Sequence, residues 1–173
     1  MNTKTQTANA AFTSQAEFLE QVAAQWQQAV VNEDSISLFL IDVDRFDEIR
    51  HKAGCVRKLI TALDEILNRD TDYICLFSRK KIMFLTSSMT YRQTRQLAER
   101  IHQVVAALAL RLTEGDDTTA QVTVSIGHLT YAPVEDGSYG ILDIISNVIK
   151  LCRQARHAGG NCSRTRLHSR VLR

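Results

Sequence analysis

The chain has 173 residues, 45% of them hydrophobic and 23% charged, with a formal net charge of +2. These values are typical of one globular domain and argue against a disordered, collagen-like or multi-domain chain. No apolar run is long enough to cross a bilayer, and the polar start MNTKTQTANAAFTSQ lacks the apolar centre of a signal peptide. We therefore expect a cytoplasmic protein that does not contact a membrane.

Hydrophobic periodicity predicts five helices and five strands. An amphipathic helix comes first and a buried strand second, and Asp44 is expected to cap a short helix that begins at Arg45. A hairpin interrupts the alternation, which favours a mixed sheet as in palm or ferredoxin-like folds over a doubly wound parallel sheet. Besides the short helix, helices are predicted over 14–32, 56–68, 91–110 and about 140–156, and strands over 35–42, 73–77, 82–86, 121–131 and 161–166.

The four cysteines are scattered, without a C-x-x-C pair or histidine spacing typical of zinc sites. Neither a metal site nor a disulfide framework is indicated, and reduced, mostly buried thiols are expected. The cysteines are Cys55, Cys75, Cys152 and Cys162.

Five segments occur in an order that resembles GGDEF domains, the diguanylate cyclase family: FLIDVDRFDEI, RDTD, LAERI, VTVSIGH and ARHAGGN. The resemblance covers residues 17–166, preceded by a polar segment at 1–16 and followed by a basic tail at 167–173. It implies a bacterial second-messenger protein of α/β (α+β), palm-like fold. A central, mostly antiparallel five-stranded sheet flanked by helices is expected.

The family signature has changed at the hairpin tip. Active relatives condense two GTP molecules into cyclic di-GMP with two metal ions, using Gly-Gly-Asp/Glu-Glu-Phe at this position. The aligned residues here are Ser78, Arg79, Lys80, Lys81 and Ile82. Divalent ions need carboxylate ligands, whereas two lysines stand in place of the acidic pair. The tip therefore predicts no catalytic residues and no cyclase activity.

Other substrate positions differ as well. Asp42 matches a metal-binding aspartate and is interpreted as a vestige, with a strand end as its plain structural role. The guanine-reading asparagine falls at Arg50, and the following stretch HKAGCVRKL is taken as a shortened loop. Arg156 matches a phosphate-binding lysine, and Gly160 replaces an arginine that often follows it.

The resemblance also implies a second nucleotide site, whose residues are matched in this sequence. In many cyclases an R-x-x-D motif ending five residues before the signature, the I-site, binds the product and inhibits the enzyme. Arg69 and Asp72 form this motif here, and Arg100 matches a further arginine of that site. An arginine fork can donate to guanine O6 and N7 or to phosphate, and an aspartate accepts from guanine N1 and N2. The alternative is a solvated ion pair and an unrelated surface arginine.

The sequence thus predicts a non-catalytic cyclic di-GMP receptor without a cofactor. Its output would be contact with a protein partner or a ligand-linked homodimer. The alternative is a nucleotide-independent interaction module that docks through its first helix or through the basic tip. The tip itself is either a plain solvated turn or part of a binding patch, formed by Arg79, Lys80, Lys81, Arg50 and Lys52. Nucleic-acid binding through the tip and tail is disfavoured, because no recognised motif or interleaved aromatic residues accompany them.

Overall fold

A computed structural model describes residues 11–112 and 120–168. The predicted loop at 113–119 and the ends of the chain at 1–10 and 169–173 lie outside the described residues. A single 3-10 turn, Phe46–Glu48, separates β2 from α2. The elements are β1 (Ala11–Thr13), α1 (Gln15–Asn32), β2 (Ile36–Val43), α2 (Lys52–Ile66), β3 (Tyr73–Ser78), β4 (Lys81–Ser87), α3 (Tyr91–Ala107), β5 (Val124–Tyr131), α4 (Ile141–His157) and β6 (Ser163–His168).

The strands form one sheet in the order β1-β3-β4-β2-β5-β6. The pairs β3–β4, β4–β2 and β2–β5 are antiparallel, and the edge pairs β1–β3 and β5–β6 are parallel. The predicted α/β class is confirmed: five predicted strands form a mostly antiparallel sheet, flanked by helices. The three-residue β1 at one edge was not predicted, because so short a strand carries almost no periodicity.

Helices cover both faces of the sheet. Side chains of β2 alternate between the faces, so that Phe39 and Ile41 pack in a cluster with α2 and α3. Leu38 and Leu40 belong to the opposite cluster, with α1 and α4. Asp42 continues this second set and therefore faces α4. No helix in the described part of the chain combines the length and the apolar character that a membrane crossing requires.

Gly127 lets α4 lie directly on β5. A Cβ atom at this position would come within 2.3 Å of the Cys152 backbone nitrogen. Only glycine fits such a close approach of two backbones. The contact fixes the height of α4 over the sheet, and Arg156, one turn beyond Cys152, is thereby placed near the end of β2.

Two local expectations were wrong. The stretch HKAGCVRKL is not a loop, because α2 begins at Lys52 and includes most of it. Asp44 does not cap the short helix, since Arg45 occupies the N-cap position without a side-chain cap. The Asp44 carboxylate instead accepts hydrogen bonds from Thr123 Oγ1 (2.8 Å), Ser125 Oγ (2.6 Å) and the Asn161 backbone N–H (2.8 Å). Those partners lie about 80 residues or more away in sequence, beyond the reach of a local capping rule.

Candidate functional site

The hairpin tip lies directly beside the end of β2. Ser78 pairs with Lys81, which leaves Arg79 and Lys80 as a two-residue turn. Lys81 stands opposite Asp42 on the neighbouring strand, and the Val43 N–H donates to the Lys80 carbonyl at 3.0 Å. The backbone thus holds the tip residues Ser78 to Lys81 beside Asp42.

Two cations close on the Asp42 carboxylate, which is only 1% exposed. Arg156 Nη1 lies 3.2 Å from Oδ2, and Lys80 Nζ lies 3.6 Å from Oδ1. The lysine contact is an ion pair rather than a hydrogen bond, because Oδ1 has no hydrogen-bond partner among the described residues. A buried carboxylate is unstable without compensation, so Lys80 and Arg156 supply the positive charge that Asp42 needs.

The residues present do not fit the two metal ions that the resemblance implies. Asp42 faces the tip, and its two oxygens already neighbour Lys80 and Arg156. Asp44 accepts three internal hydrogen bonds. The described residues contain no group of three or more histidine, cysteine or acidic side chains that could hold a metal ion. A divalent cation here would meet two positive charges and one carboxylate.

The position that the resemblance matches to a guanine-reading asparagine is also basic. Arg50 borders a cavity of about 860 Å³ beside the start of α2. Reading the Watson-Crick edge of guanine needs an acceptor for N1 and N2, which arginine does not provide. Six basic side chains and, among the described residues, no acidic ones line this cavity: Arg50, His51, Lys52, Arg57, Lys58 and Arg111.

At the other end of the hairpin, the R-x-x-D segment forms a closed turn. The Asp72 N–H donates to the Arg69 carbonyl at 3.0 Å, and the Arg69 N–H donates to Asp72 Oδ2 at 3.1 Å. Asp72 is 2% exposed, and its Oδ1 is buried without a hydrogen-bond partner among the described residues. Burial raises the pKa of Asp72, although Thr86 and Arg69 oppose the rise.

The Arg69 guanidinium is turned towards the end of β4. Its Nη1 donates to the Ser87 carbonyl at 2.6 Å and lies 3.4 Å from Thr86 Oγ1. Gln25 of α1 joins the same network, with Nε2 donating to the Thr71 carbonyl at 2.7 Å and Oε1 accepting from Ser87 Oγ at 2.9 Å. The sequence analysis missed Gln25 because nothing in a surface glutamine on a helix signals a contact 46 residues away.

Arg100 belongs to α3 rather than to this turn. It is exposed, and it lies nine residues, or roughly 14 Å of helix rise, beyond Tyr91. Its neighbour Leu97 packs on the cluster shared with α2. The structure therefore brings Arg69 and Asp72 together in one turn, whereas Arg100 is an exposed residue of α3. The assignment of these three residues to a nucleotide site stays a prediction.

The model of the diguanylate cyclase GGDEF domain family matches residues 10–162 of this chain. No curated protein matches the chain at a significant level.

Solved structures share the fold at low sequence identity. The GGDEF domain of DgcB from Caulobacter crescentus in complex with c-di-GMP has a TM-score of 0.73 and 14% identity, covering 96% of this chain and 98% of that one. The FimX GGDEF domain from Pseudomonas aeruginosa has a TM-score of 0.69 and 17% identity, with coverages of 93% and 98%. The diguanylate cyclase SiaD of Pseudomonas aeruginosa, in complex with its activator SiaC, gives 0.73 and 16% identity. That match covers 89% of this chain but only 58% of SiaD.

Proposed function

The chain belongs to the GGDEF domain family, and we propose that it is a non-catalytic member that binds cyclic di-GMP. The family places the protein in cyclic di-GMP signalling. The proposal has two parts, which depend on the two ends of the β3–β4 hairpin. The loss of synthesis concerns the tip, and the retention of binding concerns the turn that precedes β3.

The observation that carries the first part is the pairing of Asp42 with Lys80 and Arg156. A metal-dependent phosphoryl transfer needs carboxylates that are free to coordinate cations. Here the remaining carboxylate is neutralised by the protein itself. The Lys80 side chain comes from the altered signature, so the same substitution removes a metal ligand and supplies a replacement charge.

The second part is supported by the donors at the turn and on α3. Arg69 uses Nη1 internally, which leaves its other guanidinium N–H groups for a guanine edge or a phosphate. Arg100 adds an exposed cation on the next helix. Asp72 would reach a guanine only after its carboxylate turns outward, and its main role in the unliganded protein is to close the turn. The DgcB domain, which shares this fold, was solved with c-di-GMP.

One observation favours a second candidate, an interaction module that has lost nucleotide binding. The Arg69 guanidinium and the Asp72 carboxylate both have structural roles in the turn. Those internal contacts alone would explain the R-x-x-D motif. In either case the output would be a protein partner or a homodimer, linked to the ligand if one binds. SiaD is an example of a cyclase that was solved with a protein activator.

The first experiment combines nucleotide release with a turnover assay. Purified protein is denatured and the released nucleotides are separated, while a second sample is incubated with GTP and Mg²⁺. We expect cyclic di-GMP to be released from the first sample and none to be formed in the second. Synthesis from GTP would contradict the first part of the proposal. Failure of added cyclic di-GMP to bind would leave the interaction module as the function.

A further inference from the structure

The groove between α2 and the hairpin is open, apolar at its floor and basic at its rim. Its volume is about 530 Å³. Leu76 on its floor is 36% exposed, although its strand neighbours Ile74 and Cys75 are buried. Phe46, Val56, Ile60 and Leu76 supply the apolar lining, and Lys52, Arg57 and Arg79 supply the cations; we call this site the hairpin groove.

Two of the three cations of the hairpin groove, Arg79 and Lys52, contact its wall. The Arg79 guanidinium lies 5.8 Å from the centre of the Phe46 ring, and the Lys52 ammonium lies 6.0 Å from it. Lys52 Nζ also donates to the Ile49 carbonyl at 2.9 Å. No acidic side chain among the described residues lines the groove. The site is therefore suited to an apolar side chain that is flanked by carboxylates.

These contacts disfavour a nucleic-acid occupant. A base would need an aromatic face for stacking, but Phe46 is only 7% exposed and two cations lie over its ring. The remaining lining is aliphatic, which suits a leucine-like anchor. Charge complementarity then requires acidic residues on either side of that anchor.

The chain itself carries an exposed leucine near acidic residues on another surface. Leu142, in the first turn of α4, is 82% exposed. Asp143 follows it in the same helical turn, Glu135 and Asp136 are exposed in the loop that precedes the helix, and residues 132–149 contain no lysine or arginine. The Asp143 carboxylate accepts from the Gly140 N–H at 2.7 Å, which fixes the start of the helix that presents Leu142. We call Leu142 with these three acids the acidic knob.

We propose that the hairpin groove of one copy receives the acidic knob of a second copy. Leu142 would enter the groove, and the three carboxylates would face Lys52, Arg57 and Arg79. The contact needs no nucleotide and does not rest on the receptor proposal. It joins three negative charges to three positive charges around one apolar anchor, which is a small interface of the transient class.

The positions of the two surfaces determine the kind of assembly. The groove lies at the tip end of the sheet, where Asp42 is opposite Lys81, on the α2 face. The knob follows Tyr131, which pairs with Ile36 at the other end, and it lies on the α4 face. A copy cannot fill its own groove, and the contact is head-to-tail. Such heterologous contacts build open chains unless the rotation closes a ring.

The test is a complementation experiment by sedimentation velocity. Leu142→Lys removes the apolar anchor and adds a positive charge that the cations of the hairpin groove repel. The double variant Arg57→Glu, Arg79→Glu reverses the charge of two of those cations. All three substitutions are at exposed residues, so the fold should be retained, which circular dichroism checks. The wild-type protein should form larger species between roughly 10 and 500 µM at low salt and return to monomer at high salt. Each variant alone should be monomeric, and an equal mixture should form a dimer and nothing larger.

Two matched variants control for surface changes elsewhere. Leu19→Lys alters an exposed leucine on α1, and Lys58→Glu reverses a cation of α2 outside the groove. Both should associate like the wild-type protein. A wild-type protein that stays monomeric throughout, single variants that still form chains, or a mixture that stays monomeric would each overturn the proposal.

Discussion

The two ends of the β3–β4 hairpin each bury a carboxylate, but they stabilise it differently. At the tip, Asp42 is approached by two cations that come from the turn and from α4. At the start of β3, Asp72 accepts one backbone N–H and keeps an oxygen without a partner. The first arrangement neutralises a charge, whereas in the second burial raises the pKa of Asp72 and Thr86 and Arg69 offset that rise only in part. The tip end of the hairpin is thus an ion cluster around Asp42, whereas its other end is a polar turn closed by Asp72.

The largest effect is expected for Asp42→Asn. The substitution leaves Lys80 and Arg156 without their counter-charge and places an amide in a buried position. Because both cations remain partly in solvent, we expect a loss of about 2 kcal/mol in the free energy of unfolding, less than for a fully buried pair. Urea denaturation measures it, with Glu20→Gln at an exposed position of α1 as the control. A loss no larger than that of the control would show that the cations do not stabilise the fold through Asp42.

Asp72→Ala should have a somewhat smaller effect. It removes the acceptor of the Arg69 N–H and opens the turn. We expect a loss of about 1–2 kcal/mol, in the lower part of the roughly 1–3 kcal/mol that an unsatisfied buried donor costs, because Arg69 is only half-buried. An unchanged free energy of unfolding would mean that the turn is held by Arg69 and Gln25 alone, and the structural role assigned to Asp72 would be wrong.

The pH dependence of the free energy of unfolding distinguishes Asp72 from its neutral isostere, asparagine. Because burial raises the pKa of Asp72, the folded protein binds this proton more tightly than the unfolded chain does. The ionised carboxylate therefore destabilises the fold above its folded pKa, and this penalty disappears as the pH falls towards the unfolded value. The stability of Asp72→Asn minus that of the wild type should rise from pH 4 to pH 7. Measuring the difference removes the contribution of the buried histidines, and a flat difference would contradict the assignment.

A smaller effect should follow from restoring acids at the tip with Lys80→Glu, Lys81→Glu. The double variant places new carboxylates near Asp42. Because Arg156 still pairs with Asp42 and the new side chains lie at a partly exposed turn, where they can point into solvent, we expect a loss of only about 1 kcal/mol without divalent ions. Added Mg²⁺ or Mn²⁺ should raise its melting temperature but leave that of the wild type unchanged. Lys58→Glu controls for the change in net charge. No cyclase activity is expected, since Arg50 and Gly160 remain. A wild-type melting temperature that responds to Mg²⁺ would contradict the ion cluster.

Much of the fold could be predicted because its elements carry strong periodic patterns. The buried strand β2, the hairpin and the helix α4 follow from apolar runs, and the tip turn follows from Ser78 to Lys81. The partners of Asp42 could not be predicted from spacing, since Arg156 reaches it through the close packing of α4 on Gly127. The inward orientation of Arg69 was also inaccessible, because the R-x-x-D motif does not specify whether its side chains point to a ligand or to Ser87.

The central claim is that the protein binds cyclic di-GMP although it does not synthesise it. Titration calorimetry with cyclic di-GMP tests this claim most directly. Arg69→Lys keeps a positive charge near Ser87 but loses the two-pronged donor geometry of the guanidinium, and Arg100→Ala removes the second cation. Arg92→Ala, on the exposed face of α3, is the control. We predict wild-type binding with a dissociation constant of roughly 1 µM or tighter, weakened at least tenfold in the first two variants and unchanged in the third. An absence of heat for the wild-type protein at high concentration, or wild-type affinity in Arg69→Lys and Arg100→Ala, would contradict the account.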